Sequence, residues 1–192
     1  MKYESYESSN VWYSHRSYLF KELVSLNENA SILEFGVGDG SSILIHDYCK
    51  ENKNAQAIAF ETDKSWFLKM KDQYELENYR FVFLENWGDL QQYLDNKIYD
   101  LVFVDQSPWE ARIESIDLIK DKSRTVIVHD YDYYNKGLLQ IKGKASGTSQ
   151  NIYVNDENSF WWKNYSNFFS IEDNYQKLPP TLILRAKNVS YR

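Results

Sequence analysis

The sequence predicts an α/β domain built on a doubly wound, mostly parallel sheet that closes with a C-terminal antiparallel hairpin. Three observations carry that prediction. Five short runs, Ser31–Phe35, Ala57–Phe60, Arg80–Leu84, Asp100–Val104 and Thr125–Val128, are nearly continuous in apolar or β-branched character, the pattern of strands buried on both faces. Helical periodicity separates each run from the next, so strand and helix alternate through right-handed crossovers. Gly36, Gly38 and Gly40, three of only 7 glycines, are gathered directly after the first run, where backbone freedom has been concentrated at one turn.

The elements follow in order. Trp12, Leu19, Leu23 and Leu26 predict a helix within residues 1–28 that covers part of the sheet. Ser41–Lys50 follows the first strand. Trp66, Met70 and Tyr74, spaced four apart, follow the second, and Asp89–Leu94 follows the third. After the fourth, Trp109, Ile113, Ile116 and Ile119 make one apolar stripe, with Ser107 as the expected cap and Pro108 in the first turn. Beyond the fifth strand, residues 142–158 contain two glycines and few core residues and read as a long loop, a kind of segment that often borders a substrate site. Phe168–Ile171 and Thr181–Arg185 read as a terminal pair, with Pro179-Pro180 ahead of the last strand. No repeat or linker divides the chain, so residues 1–192 are expected to form one domain.

Composition narrows the function. Lys plus Arg number 22 against 28 Asp plus Glu, a net charge of −6, and no basic run interrupts this balance. A nucleic-acid or membrane-surface binder held by charge is therefore not expected. The longest apolar stretches fall far short of the roughly 20 residues that span a bilayer. The polar start with Glu4 and Glu7, and Cys49 as the only cysteine, suit a cytoplasmic protein without a secretion signal.

The glycine turn reads Ile32-Leu33-Glu34-Phe35-Gly36-Val37-Gly38-Asp39-Gly40-Ser41-Ser42. A dinucleotide fingerprint would need GxGxxG, but position 41 is Ser; a P-loop would need Gly-Lys-Ser/Thr, and there is no Lys. In open α/β sheets such a turn lets a ligand approach the backbone at the strand ends. A GxGxG turn with an acid two residues ahead of it resembles motif I of class I S-adenosylmethionine (SAM)-dependent methyltransferases, whose Rossmann-like sheet has seven strands. The resemblance extends along the chain. It implies that Glu34, Gly36, Gly38, Gly40, Ser41 and Ser42 shape the cofactor turn. It implies that Glu61, 21 residues after Gly40, accepts hydrogen bonds from the ribose, and that Asn86, Trp87 or Asp89 meets the adenine. Asp105, at the end of the fourth strand, would lie at the reacting centre and also border the cofactor.

Methyl transfer is an in-line displacement, so the enzyme positions the acceptor and removes its proton. Asp105, His129 and Asp130, at the ends of the fourth and fifth strands, are the candidates. His129 is one of three histidines, a group that titrates near neutrality. Asp105 and Asp130 offer hard oxygen ligands for Mg²⁺, and Tyr99–Asp105 with Thr125–Asp130 is similar to the layout of metal-binding small-molecule O-methyltransferases. Gln106 stands where that layout has Gly, and Pro108-Trp109 where it often has His. Tyr131, Tyr133, Tyr134, Trp161 and Trp162 are candidates to line an acceptor pocket for a sugar or planar ring. Trp12, His15 and Arg16 are expected to form a solvated helix face, the alternative being that they close over the cofactor with Arg16 against its carboxylate. The expected activity is O-methylation of a small molecule or saccharide. A catalytically silent SAM-binding or scaffolding domain, and another Rossmann-like nucleotide-dependent enzyme, are the alternatives. The oligomeric state is not encoded in any of these features.

Overall fold

All five expected parallel strands form. In the computed structural model, which describes residues 1–131, 140–144, 151–153, 161–174 and 179–187, the strands are β1 (Ser31–Phe35), β2 (Gln56–Glu61), β3 (Tyr79–Phe83), β4 (Tyr99–Val104), β5 (Ser123–His129), β6 (Gln140–Lys144), β7 (Asn151–Tyr153), β8 (Phe169–Asn174) and β9 (Thr181–Ala186). Seven of them form one sheet in the order β3-β2-β1-β4-β5-β9-β8. The first five are parallel, and β9 joins antiparallel to both β5 and β8. The strand order reverses between β1 and β4, which opens a crevice at their carboxyl ends.

Alternation along each strand sends side chains to two layers. Ile32, Ala57, Ala59, Phe81, Leu101, Phe103 and Ile127 pack beneath α1 (Arg16–Ser25), α2 (Ser42–Glu51) and α3 (Lys64–Tyr74). Leu33, Phe35, Val102, Val104, Val126 and Val128 face α4 (Glu110–Ile119) and the 3₁₀ segments Trp87–Tyr93 and Trp161–Tyr165. This double coverage is why the strands read as continuous apolar runs rather than as alternating ones. Asp63 starts α3 by accepting the Trp66 amide at 2.9 Å. On α1, Glu22 fastens the helix to β9 through two 2.7 Å bonds from Arg185. Among the described residues no helix is long and apolar enough to cross a membrane.

The expected α4 stripe forms: Trp109, Ile116 and Ile119 are buried and Ile113 is half-buried against the same core, with Arg112 and Ser115 buried beside them. Three expectations are corrected. Trp12 lies in a 3₁₀ turn ahead of α1 and is 47% exposed, so the buried face of the N-terminal helix is Leu19 and Leu23. Ser107 does not cap α4; Trp109 occupies the cap position and its indole N–H donates to the Asp130 carbonyl at 2.9 Å rather than capping the helix, and the Ser107 carbonyl accepts the Trp87 indole N–H at 2.9 Å. Within the expected loop 142–158, residues up to 144 and 151–153 belong to the antiparallel pair β6–β7; Gln140-Ile141-Lys142 and Asn151-Ile152-Tyr153 carry a short two-residue period that the glycine and serine content obscures. The remainder of that stretch lies outside the described residues.

The crevice depends on one backbone contact. Gly36, at φ +81°, lies against β4, and a Cβ there would run into the Asp105 carbonyl and within 2.9 Å of the Gln106 nitrogen. Gly36→Ala therefore combines left-handed strain with a backbone clash, and its unfolding free energy in urea is expected to fall by on the order of 3 kcal/mol.

Candidate active site

Glu34 is placed on the α2 side of β1 by the strand's alternation and is fully buried. Its carboxyl accepts hydrogen bonds from Ser41 Oγ at 2.6 Å, Ser42 Oγ at 3.0 Å and the Tyr79 hydroxyl. Burial pushes its pKa from 4.5 up to about 7, despite the three hydroxyl bonds from Ser41, Tyr79 and Ser42 that favour the charged form. Glu34, Ser41 and Ser42 thus hold the glycine turn from below. The turn amide of Val37 donates instead to Glu61 Oε2 at 3.2 Å, and Glu61 Oε1 accepts the amides of Thr62 and Asp63 at 2.7 and 2.8 Å. From above, Arg16 donates to the carbonyls of Asp39 at 2.6 Å and Gly40 at 3.1 Å and lies 3.8 Å over the Tyr13 ring. The glycines have different surroundings. Gly40 is where a Cβ would strike His15 and Tyr13, whereas Gly38 has open space.

The ends of β4 and β5 are joined by Arg112, which is 7% exposed. Its guanidinium donates to the Gln106 carbonyl at 3.0 Å, to the carbonyls of His129 and Asp130, and to Asp105 Oδ1 at 2.9 Å. Asp105 Oδ2 lies 3.1 Å from His129 Nδ1. Burial alone would raise the Asp105 carboxyl; His129 and Arg112 outweigh it and hold the group well below the usual carboxylate range. On its other side, His129 Nε2 lies 3.1 Å from Ser14 Oγ, whose own proton goes to the Pro179 carbonyl at 2.6 Å. His129 is thus held between Asp105 and Ser14. His15, also buried, sits with its ring centroid 4.3 Å from that of His129, and neither of its nitrogens has a hydrogen-bond partner. The Gly40 carbonyl, which accepts from Arg16 at 3.1 Å, is close enough to favour the protonated ring but not placed for a hydrogen bond with it. Burial, then the charge of His129, draws the His15 proton affinity well below the ordinary imidazole value. Asp130 follows β5 with a left-handed φ of +52°, a conformation that Asp tolerates; burial raises its carboxyl above the ordinary value against the pull of Arg112 and His129.

The expected residues therefore divide. Asp105 and His129 are in contact, with Asp130 beside them; Glu61 and the glycine turn meet at the end of β2. The pairing of Asp105 with Asp130 around Mg²⁺ is not what the chain assembles. Asp105 presents one oxygen to a guanidinium and the other to imidazole, and the ligand atoms that converge on it, within 4.8 Å of one another, come from His15 and His129. This set does not suit a hard cation. Trp87 is 7% exposed and packed in the core, while Asn86 donates to Asp89 at 2.9 Å. Gln106 points away from the crevice and donates to Ser115 Oγ at 2.8 Å. Tyr131, Trp161 and Trp162 pack on one another with ring centroids of 4.7 and 5.8 Å, as core rather than pocket wall; Tyr133 and Tyr134 lie outside the described residues. Sequence reading put His15 on a solvated helix face, with a cofactor cover as the alternative, and gave no signal that it meets Asp105 and His129.

Two measurements follow from this geometry. Between pH 4.5 and about 7 the folded state holds a proton on Glu34 that the unfolded chain releases, so this group's contribution falls as pH rises through that window. Relative to Glu34→Gln, which cannot titrate, wild-type stability by urea melts should drop by about 2–3 kcal/mol between pH 4.5 and 8. Arg112→Ala leaves Asp105 and two strand-end carbonyls without their donor and should lower the unfolding free energy by about 3–5 kcal/mol.

No model of a known protein family matches the sequence, and no curated protein matches it. Solved structures do. A methyltransferase from Podospora anserina with bound S-adenosylhomocysteine is 15% identical, with a TM-score of 0.62 over 98% of this chain and 83% of its own. A provisional caffeoyl-CoA O-methyltransferase from Staphylococcus aureus is 15% identical, with a TM-score of 0.62 over 96% and 95%. An rRNA methylase from Streptococcus thermophilus is 12% identical, with a TM-score of 0.55 over 90% and 95%. The strand order, the crevice at the sheet's reversal point and these likenesses agree: the chain has the Rossmann-like fold of class I SAM-dependent methyltransferases.

Proposed function

We propose that this single domain is a SAM-dependent methyltransferase that transfers a methyl group to a hydroxyl of a small molecule or saccharide. The observation that carries the reading is the meeting of the glycine turn with Glu61 at the carboxyl ends of β1 and β2, where Val37 N lies 3.2 Å from the Glu61 carboxylate. The residues present fit an adenosyl ligand. Backbone amides take three of the roughly four lone-pair directions of Glu61, leaving one for a ribose hydroxyl, and Gly38 leaves the turn's backbone open. Asn86 and Asp89, at the end of β3, are the polar groups on the adenine side. The acidic net charge of −6 favours a small acceptor over nucleic acid, and the lone, buried Cys49 accords with a cytoplasmic setting.

When bound, SAM supplies an electrophilic methyl on a sulfonium. The chain's own groups then have distinct tasks. Asp105, kept ionised by Arg112 and His129, has little affinity for a proton and serves to accept a hydrogen bond from the acceptor hydroxyl and orient it. Asp130, whose carboxyl holds a proton more readily, is the base that receives that proton as the oxygen attacks. His129, held between Asp105 and Ser14, positions Asp105. No step is assigned to Mg²⁺, because the donors around Asp105 do not fit it. Gln106, which stands where the metal-binding layout has Gly, is a core hydrogen-bond partner of Ser115.

Calorimetric titration with S-adenosylhomocysteine and NAD tests the reading. S-adenosylhomocysteine should bind and NAD should not. Glu61→Ala should weaken that binding by about 10- to 100-fold, the loss of one charged hydrogen bond, with the thermal melt still cooperative. Absence of adenosyl binding to the wild type, or unchanged affinity in the variant, overturns it.

A further inference from the structure

We propose that His15, Asp105 and His129 form a site for one borderline transition-metal dication, with Zn²⁺ as the representative ion, at the carboxyl edge of the sheet. The inference stands on the side chains alone and does not require the methyltransferase reading. Two imidazoles and one carboxylate place their ligand atoms within 4.8 Å of one another. Bonds of about 2.0–2.2 Å to a tetrahedral ion would bring these atoms to roughly 3.4 Å apart, a modest closure. His15 supplies it freely, because both of its nitrogens are buried and neither makes a hydrogen bond. A buried imidazole with no partner is costly and calls for an explanation; a metal ion provides one that the hydrogen-bond network does not.

The surroundings are those of a ligand set already oriented. If His129 binds through Nδ1, the atom that faces Asp105 at 3.1 Å, its other nitrogen remains a donor to Ser14 Oγ at 3.1 Å, and Ser14 is anchored on the Pro179 carbonyl. Metal-bound histidines characteristically donate their second N–H in this way. Asp105 keeps Oδ1 on Arg112 and turns Oδ2 to the ion. Binding through Nδ1 leaves the imidazole proton of His129 on Nε2, facing Ser14. Two nitrogen donors and one oxygen select Zn²⁺, Fe²⁺ or Co²⁺ over Mg²⁺. Gly40 is part of the design, since any side chain there would displace His15.

The test is equilibrium dialysis of the full chain against Zn²⁺, with the visible spectrum of the Co²⁺-loaded protein as a second readout. The expected result is one ion per chain, intense tetrahedral Co²⁺ absorption, and no displacement by millimolar Mg²⁺. His15→Gln and His15→Ala should each weaken binding by at least tenfold and change the Co²⁺ spectrum, while a cooperative melt shows that the fold is kept. Should His15→Ala fail to fold, His15→Gln and His129→Gln carry the same comparison. Substoichiometric binding to the wild type, or affinity and spectrum unaltered in the His15 variants, overturns the proposal. S-adenosylhomocysteine titration of the same samples reports separately on the adenosyl site, so loss of either reading leaves the other measurable.

Discussion

Arg112 carries a charge that cannot be titrated away, sits where water has little access, and must spend its donors on the protein. It spends them on the Gln106 carbonyl, the carbonyls of His129 and Asp130, and the Asp105 carboxylate. One helical side chain therefore fixes the distance between the ends of β4 and β5. The left-handed Asp130, the ionised Asp105 and the orientation of His129 all take their positions from that fork. An ammonium in its place could match the charge but not the planar spread of donors. The packing of α4 accommodates this charge, because the helix buries Arg112 beside its apolar stripe of Trp109, Ile116 and Ile119.

Much of this architecture was legible in the sequence, and for a physical reason. Strands covered on both faces must be apolar throughout, so β1 through β5 announce themselves in composition, and a turn with positive φ at a close approach must be glycine, as Gly36 is. The missed features have partners far away along the chain. His15 and His129 are 114 positions apart, and no local pattern signals that an N-terminal histidine crosses the sheet's edge to reach a strand end. The inward turn of Arg112 depends on carbonyls that only the finished sheet supplies. In β6 and β7 the period-two signal spans only a few residues and competes with glycine and serine.

The site residues named from the sequence also prove to be of two kinds. Glu34, Ser41, Ser42 and Trp87 build the walls and floor: each is buried and spent on the protein itself. Glu61, Asp105 and Asp130 stand instead at the carboxyl ends of β2, β4 and β5. A motif read along the chain mixes the two, and only the third dimension separates the residue beneath a turn from the residue at a strand end. The glycines make the same point, with Gly36 required by a neighbouring strand and Gly40 by His15.

The bond between Tyr79 and Glu34 reaches from β3, an edge strand, to the acid beneath the glycine turn, across 45 positions of sequence. Glu34 also binds the first residues of α2. The turn therefore cannot open by local fraying: releasing it would strand a buried carboxyl, and restoring that carboxyl's partners requires β3 to be in place. Amide protons of the turn, of the start of α2 and of β3 belong on this account to one cooperative unit and should share a common opening free energy in hydrogen exchange. The glycine turn is thus tied into the sheet rather than left to its own local contacts.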